Sequence, residues 1–164
     1  MFVLLRALTY ASIFIGVLLV YLPASILASA GVARPPGPGG AQIAGMIMVA
    51  VGVALALWCV LTFAFVGKGT PAPFDPPRRL VVSGPYRFVR NPMYIGAGLA
   101  LLGVAVYYGS ASLFLAVAIF LLIVFVFILA YEEPTLRRMF GDDYEAYTRR
   151  VGRFWPRWPR KAAE

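Results

Sequence analysis

Three long stretches of this chain carry no charged side chain, and they indicate its architecture. Asp, Glu, Lys and Arg are absent from residues 7–33, 35–67 and 91–131. About 20 apolar residues cross the roughly 30 Å hydrocarbon core of a bilayer, so the first two stretches predict one span each, near residues 8–30 and 41–66. The third stretch, at about 1.5 Å of helical rise per residue, would extend about 60 Å. That length is enough for two crossings.

A turn signal divides the third stretch into a helical hairpin. Residues 107–110 are Tyr-Tyr-Gly-Ser, in which glycine favours a turn and Ser110 is a candidate N-cap of the next helix. The fourth span is expected at about residues 112–131. We therefore predict an all-α integral membrane protein with about four transmembrane helices, forming a single membrane domain over residues 1–164. Its first 66 residues would hold two N-terminal spans.

Composition and charge agree with a membrane protein. The 164 residues are 61% hydrophobic and 13% charged, with a mean hydropathy of +0.80, whereas soluble domains carry roughly 25% charged residues. Most of the net charge of +8 comes from basic residues between the second and third spans and after the fourth. The positive-inside rule then predicts that both termini and the middle loop are cytosolic, in a bacterial inner membrane. These clusters favour anionic lipid headgroups rather than nucleic acid.

The residue types exclude several kinds of site. The chain has no histidine and one cysteine, Cys59, inside the second span. Zinc and haem sites need more such ligands, and Cys-His or Ser-His-Asp catalysis needs a histidine. We therefore expect no metal, and we expect Cys59 to be a small buried apolar side chain.

The start of the third span is a candidate anion site. Asn91 is a favoured N-cap residue and Pro92 a favoured first helical residue. Unpaired N–H groups and the positive end of the helix dipole would therefore lie beside Arg90 at the cytosolic boundary, where a carboxylate or phosphate can bind. The alternative is that Arg87 and Arg90 only extend towards lipid headgroups.

Two adjacent acids mark the end of the fourth span. Glu132 and Glu133 oppose the dipole at a helix C-terminus and are costly at a membrane edge, so they suggest a cationic or hydroxyl-bearing partner. Because Pro134 disfavours helix at the preceding residue, we predict that the chain breaks or kinks there. The alternative is that Glu133 helps to start the next helix.

A final amphipathic helix is expected over residues 135–151. Apolar residues recur there at helical spacing, and Gly141 and Asp142 are expected to interrupt the helix, with Asp142 capping its second piece. Such a helix suits the cytosolic membrane interface, where it could cover a site near Arg90 and Glu133. The apolar positions are Leu136, Met139, Phe140, Tyr144, Tyr147 and Val151.

Taken together, these motifs resemble the isoprenylcysteine carboxyl methyltransferase superfamily, which includes phospholipid methyltransferases. The resemblance covers residues 80–157 and rests on Gly-Pro-Tyr-Arg-Phe-Val-Arg-Asn-Pro-Met-Tyr-Ile-Gly at 84–96, the glutamate pair and the aromatic residues that follow. It implies that residues 67–164 form a catalytic region that binds S-adenosylmethionine. The implied cofactor residues are Arg90, Asn91, Pro92, Tyr94, Gly96, Glu132 and Glu133, together with Tyr86, Tyr144 and Tyr147.

The resemblance also implies a reaction, in which Arg90 and Glu133 are the candidate catalytic residues. Arg90 suits the carboxylate of the cofactor, and a glutamate suits its ammonium or ribose hydroxyls. The family often has histidine where this chain has Asn91, and asparagine cannot exchange a proton, so a base at that position is not expected. An amine acceptor would need a base, for which Glu133 is the candidate. The acceptor is expected to be lipophilic: an isoprenoid, a hydrophobic thiol or a phospholipid headgroup.

Two other functions remain open at this level. A membrane reductase of the sterol-reductase type resembles the superfamily in its C-terminal helices but uses NADPH. A non-catalytic protein that binds lipid or a partner subunit would use Glu132 and Glu133 as structural partners of Arg87 or Arg90. A dimer is also plausible, because four spans make a small bundle.

Overall fold

The N-terminal half contains two long helical segments. The computed structural model describes residues 2–35, 37, 39–67 and 78–157. The first segment consists of α1 (Phe2–Ile15), a π-helical turn (Gly16–Tyr21) and α2 (Leu22–Ser29). The second consists of α3 (Gly40–Thr62) and a π-helical turn (Phe63–Gly67). The predicted cytosolic connector over residues 68–77 lies outside the described residues.

The C-terminal half begins with a 3₁₀ turn and continues as a hairpin. The turn, Gly84–Arg87, precedes α4 (Pro92–Tyr108) and α5 (Ala111–Phe127). Gly109 ends α4 with a left-handed φ of 58°, and the Ser110 hydroxyl accepts a hydrogen bond of 3.4 Å from the Leu113 N–H. The predicted hairpin and its N-cap are therefore confirmed.

Within the part of the chain that the structure describes, three helical segments are long and apolar enough to cross a membrane. They cover Leu5–Ser29, Gly40–Gly67 and Ala111–Arg150, while Pro92–Tyr108 is apolar but shorter, with 17 residues. Among the described residues there is no β-strand, only one isolated parallel bridge between Val89 and Gly152. The chain is thus an all-helical membrane protein, whereas a total of four spans stays a prediction.

Helix α4 lies at the centre of the packing. On one side it contacts α3 through two glycine pairs, Gly45 with Gly103 and Gly52 with Gly96. A Cβ placed on any of these four glycines would lie 2.5–2.7 Å from the carbonyl oxygen of its partner. Small residues such as Gly45 and Gly52 in the second span allow such close backbone contact between helices in lipid. On its other sides α4 buries apolar residues against α2 and α5, including Ala97, Leu101, Ala105, Leu27, Leu113 and Val117.

Of the break or kink predicted at Glu133, the break is wrong. The backbone stays helical through a π-helical turn (Ile128–Glu132) into α6 (Glu133–Arg150), with Pro134 in the first turn of α6. Proline lacks an N–H and its ring would clash with the carbonyl one α-helical turn earlier. The wider π-helical turn makes room for the ring, so the helix continues and Glu133 begins α6, as the alternative interpretation of this residue proposed.

Helix α6 is interrupted at one point and then packs back on the chain. Gly141 has φ 49° and ψ −124°, which confirms the predicted interruption. Beyond it, Tyr144, Tyr147 and Val151 are buried together and contact Leu80. Met139, another of the predicted apolar positions, is exposed, so an amphipathic helix over residues 135–151 stays a prediction. Its position at a membrane interface remains a prediction.

Candidate functional site

The Glu133 carboxylate is the centre of a buried ionic cluster. The residue is only 4% exposed. It is the first residue of α6, and the segment that follows the end of α6 packs over it. Arg153 donates from Nε to Oε1 at 2.7 Å and from Nη2 to Oε2 at 2.9 Å. Arg90 Nη1 lies 3.1 Å from Oε1, and Arg137 Nη2 lies 3.9 Å from Oε2. A buried carboxylate with this many cationic partners is held in one orientation.

Arg90 is buried rather than extended towards lipid headgroups. Its side chain is 9% exposed, and Nη1 also donates to the Tyr144 hydroxyl at 3.4 Å. The buried Nε has no hydrogen-bond partner among the described residues, which is uncommon for a buried polar atom. Arg87, by contrast, is exposed, with its guanidinium 4.6 Å from the centroid of the Phe88 ring. The headgroup alternative is therefore wrong for Arg90.

The start of α4 is tied to the segment that follows α6. The Arg90 N–H donates to Gly152 O at 2.8 Å, and the Asn91 N–H donates to Arg153 O at 3.2 Å. The Asn91 side chain also donates to Arg153 O, at 3.2 Å, and makes no capping bond to the helix. The predicted helix start is therefore confirmed. The capping role of the Asn91 side chain is wrong, because this side chain binds a distant carbonyl instead.

The second glutamate belongs to a different contact. Glu132 Oε2 accepts a hydrogen bond of 2.9 Å from the Tyr94 hydroxyl on α4. Among the described arginines, none forms an ion pair with Glu132. The two neighbouring glutamates therefore differ in their surroundings, one among guanidinium groups and one beside a phenol.

Two further tyrosines fix the 3₁₀ turn against α6. The Tyr147 hydroxyl donates to Tyr86 O at 2.6 Å. The Tyr86 ring is buried, with its centroid 5.2 Å from that of Phe63 in an edge-on arrangement. Burial raises the pKa of the Tyr86 phenol well above its usual value, so this group stays neutral and serves as a packing and hydrogen-bonding side chain.

The structure brings together most of the residues predicted from the sequence. Arg90 contacts both Glu133 and Tyr144. Asn91 joins them through Arg153 O, and Tyr94 with Glu132 forms the adjacent pair. The buried Pro92 is the first residue of α4. Gly96 is different, because it faces Gly52 in the contact between α3 and α4. Ligand contacts of all these residues stay predictions.

Arg153 is the main residue that the sequence analysis missed. The hydrogen bonds to Glu133 raise its pKa above the ordinary arginine value, so the guanidinium stays charged. In the sequence, Arg153 is one of several arginines near the end of the last helix. The positive-inside rule alone would account for these arginines, so nothing local distinguishes Arg153 from the others. The signal available was the buried glutamate itself, since a carboxylate inside a membrane protein needs a cation and Arg90 supplies only one.

The arrangement offers a defined set of groups to a ligand. It has a buried guanidinium N–H without a partner, two carboxylates and several phenols, all near the start of α4. Within the described residues no group of His, Cys, Asp and Glu side chains could hold a metal ion. These groups suit a ligand that carries both a carboxylate and cationic or hydroxyl functions.

Comparisons with known proteins support the resemblance. A model of the phospholipid methyltransferase family matches residues 41–143, more than half of the chain. This match includes the second span, which the resemblance did not cover, and it stops before Tyr144. An uncharacterized protein of Haemophilus influenzae is 37% identical over 62 residues, which are 38% of this chain and 98% of that protein. No solved structure matches the chain significantly.

Proposed function

Because the chain belongs to the phospholipid methyltransferase family, we propose that it transfers a methyl group from S-adenosylmethionine to a lipophilic acceptor. The acceptor would be an isoprenoid carboxylate or thiol, or a phospholipid headgroup, reached at the cytosolic face of a bacterial inner membrane. The observation that carries the proposal is the buried Arg90 guanidinium, which has an unpartnered Nε beside Glu133.

The residues present fit this cofactor. S-adenosylmethionine supplies an activated methyl group on a sulfonium, and it carries a carboxylate, an ammonium and two ribose hydroxyls. Arg90 would bind the carboxylate, for which its unpartnered N–H is a charge-assisted donor. Glu132 and Glu133 would accept hydrogen bonds from the ammonium or the hydroxyls.

The cluster would act mainly by alignment. Methyl transfer by in-line displacement depends on orienting the reactants and excluding water. The buried pair of Arg90 and Glu133 would hold the cofactor in a fixed orientation. Both Glu133 oxygens already accept from Arg153. Glu133 is therefore better suited to anchoring the site than to accepting a proton, which favours a thiolate or carboxylate acceptor over one that needs this base.

Binding of S-adenosylmethionine to the purified full-length chain in detergent tests the proposal. We would titrate the wild type, Glu133→Ala and Glu145→Ala, with NADPH as a second ligand and thermal melting to show that each sample is folded. Glu145 is the matched control, because it contacts Arg137 on the exposed side of the same helix. We expect saturable binding by the wild type and the control, and weaker binding by Glu133→Ala.

Two results would contradict this function. A folded wild type that binds no S-adenosylmethionine would exclude it, and binding of NADPH alone would favour the reductase. If binding is found, incubation with bacterial lipid extract and cofactor labelled in the methyl group should produce a labelled lipid. If only water-soluble acceptors were labelled, the proposal that the acceptor is lipophilic would be overturned.

A non-catalytic role is the second candidate, and one observation favours it. The ion pair between Glu133 and Arg90 is the contact that a purely structural glutamate would make. In that case, replacing Glu132 and Glu133 together would lower thermal stability, and no ligand would stabilise the wild type. Stabilisation of the wild type by S-adenosylmethionine would exclude this candidate.

A further inference from the structure

Arg153 joins the two halves of the site through both its side chain and its main chain. The guanidinium contacts both oxygens of Glu133, at 2.7 and 2.9 Å. The carbonyl of the same residue accepts two bonds of 3.2 Å from Asn91, one from the main chain and one from the side chain. One residue therefore links the first residue of α6 to the residue that precedes α4.

This link affects the hydrogen bonding of Arg90. A buried carboxylate needs full compensation of its charge, and Arg153 supplies it with a two-point contact that matches carboxylate geometry. Arg90 then contributes only Nη1 to Glu133, at 3.1 Å, while its Nε remains buried and unpartnered. Without Arg153, Glu133 would lose its two-point partner and would draw the whole Arg90 guanidinium into a closer pair.

We propose that Arg153 is a positioning residue for cofactor binding. It holds Glu133 and the start of α4 in place, so that Arg90 keeps a buried N–H available for the carboxylate of S-adenosylmethionine. The inference rests on the proposed function and adds to it a residue outside the family match, which ends at residue 143. Arg153 acts through Glu133 and Arg90 and need not touch the cofactor.

A purely structural ion pair is the competing explanation, and arginine geometry separates the two. Lysine keeps the charge of Arg153 but cannot contact both carboxylate oxygens in the planar, two-point manner of a guanidinium. A structural pair tolerates this change, since the buried charge is still compensated. A positioning role does not tolerate the lysine, because the Glu133 carboxylate can then rotate and the Arg90 guanidinium moves with it.

The experiment measures cofactor affinity and melting temperature side by side. S-adenosylmethionine is titrated into the full-length wild type, Arg153→Lys, Arg153→Ala and Arg150→Ala in detergent. Arg150 is an exposed arginine near the same end of α6 and serves as the matched control. For Arg153→Lys we expect a melting temperature near that of the wild type and a Kd raised roughly 10- to 100-fold, the usual effect of misplacing a supporting group.

Chemical rescue supplies a second measurement. Guanidinium chloride at a low, non-denaturing concentration should partly restore the affinity of Arg153→Ala, because the free cation can contact both Glu133 oxygens. Sodium chloride at the same ionic strength should not. Weakened binding by folded Arg153 variants, together with this rescue, supports the positioning role.

The outcomes separate this inference from the function on which it rests. If the wild type binds and folded Arg153→Lys binds equally well, the positioning role is overturned and the methyltransferase proposal is unaffected. Loss of folding in both Arg153 variants would overturn the positioning role and would favour a purely structural ion pair. If the folded wild type binds no S-adenosylmethionine, the proposed function fails and the inference fails with it.

Discussion

At the scale of single residues, the site is governed by the compensation of one buried charge. Glu133 is surrounded by Arg90, Arg153 and Arg137, whereas the neighbouring Glu132 contacts a phenol. Taking a carboxylate out of water is costly, and arginine partners offset that cost only when the geometry is good. Adjacent residues of the same type can therefore have different roles.

Replacing Glu133 by glutamine should destabilise the protein strongly. The change removes the charge and leaves Arg90 and Arg153 facing each other without a counterion. Breaking a buried pair in this way typically costs about 3–5 kcal/mol, which thermal and chemical unfolding in detergent would measure. Glu145→Gln is the control, with an expected effect below about 1 kcal/mol, because its pair with Arg137 is exposed. Equal effects at both positions would show that burial of Glu133 contributes nothing.

Replacing Tyr94 by phenylalanine should have a smaller effect. The variant removes the hydroxyl that donates to Glu132 at 2.9 Å but keeps the ring. Glu132 is only partly buried, and an acceptor left without its donor costs about 1–3 kcal/mol when it is fully buried, so the free energy of unfolding should fall by about 1 kcal/mol. Tyr131→Phe, at an exposed tyrosine, should leave stability unchanged. An unchanged stability of Tyr94→Phe would mean that water reaches Glu132 and replaces the phenol.

At the scale of elements, α3 packs closely on α4, the helix that begins at the site. The glycine pairs let the two backbones approach more closely than side chains would allow. The π-helical turn at Ile128–Glu132 then carries the helix past Pro134 without a break. Local propensity predicted a break because it considers only neighbours along the chain, whereas the contacts of Glu133 to Arg90, which precedes α4, and to Arg153 stabilise the continued helix.

Replacing Gly52 by alanine tests this contact. Its Cβ would lie 2.5 Å from Gly96 O, and overpacking of this kind typically costs about 1–3 kcal/mol. Gly16→Ala is a matched control, because a Cβ there has no atom within 4 Å and alanine favours helix by up to about 1 kcal/mol. We expect Gly52→Ala to lower the melting temperature and Gly16→Ala to keep or raise it. The opposite order would contradict the tight packing of α3 on α4.

At the scale of the whole molecule, the charge distribution predicts which face is cytosolic. Most basic residues are expected on one side of the membrane, together with the ionic cluster, while Arg34 and the α4–α5 turn are expected on the other. The helices described here are consistent with membrane insertion. Their orientation remains a prediction from the positive-inside rule.

Labelling of introduced cysteines would measure this orientation. In a Cys59→Ala background, Arg34→Cys should react with a membrane-impermeant maleimide in intact cells, because Arg34 is exposed and predicted to face outward. Arg150→Cys, also exposed, should react only after lysis. The reverse pattern would invert the topology and move the ionic cluster to the outer face. Labelling of both positions in intact cells would contradict the odd number of spans, three, that is predicted between them.

The long helices, the α4–α5 hairpin, the start of α4 and the family resemblance could all be predicted from the sequence. Each depends on local information, such as apolar length, capping residues and short motifs. The part played by Arg153, the separation of Glu132 from Glu133 and the continuity of the helix through Pro134 could not. They depend on contacts between residues far apart in the chain, such as Asn91 with Arg153. Which arginine compensates a buried carboxylate is settled by distance in the folded chain, and no local pattern encodes that distance.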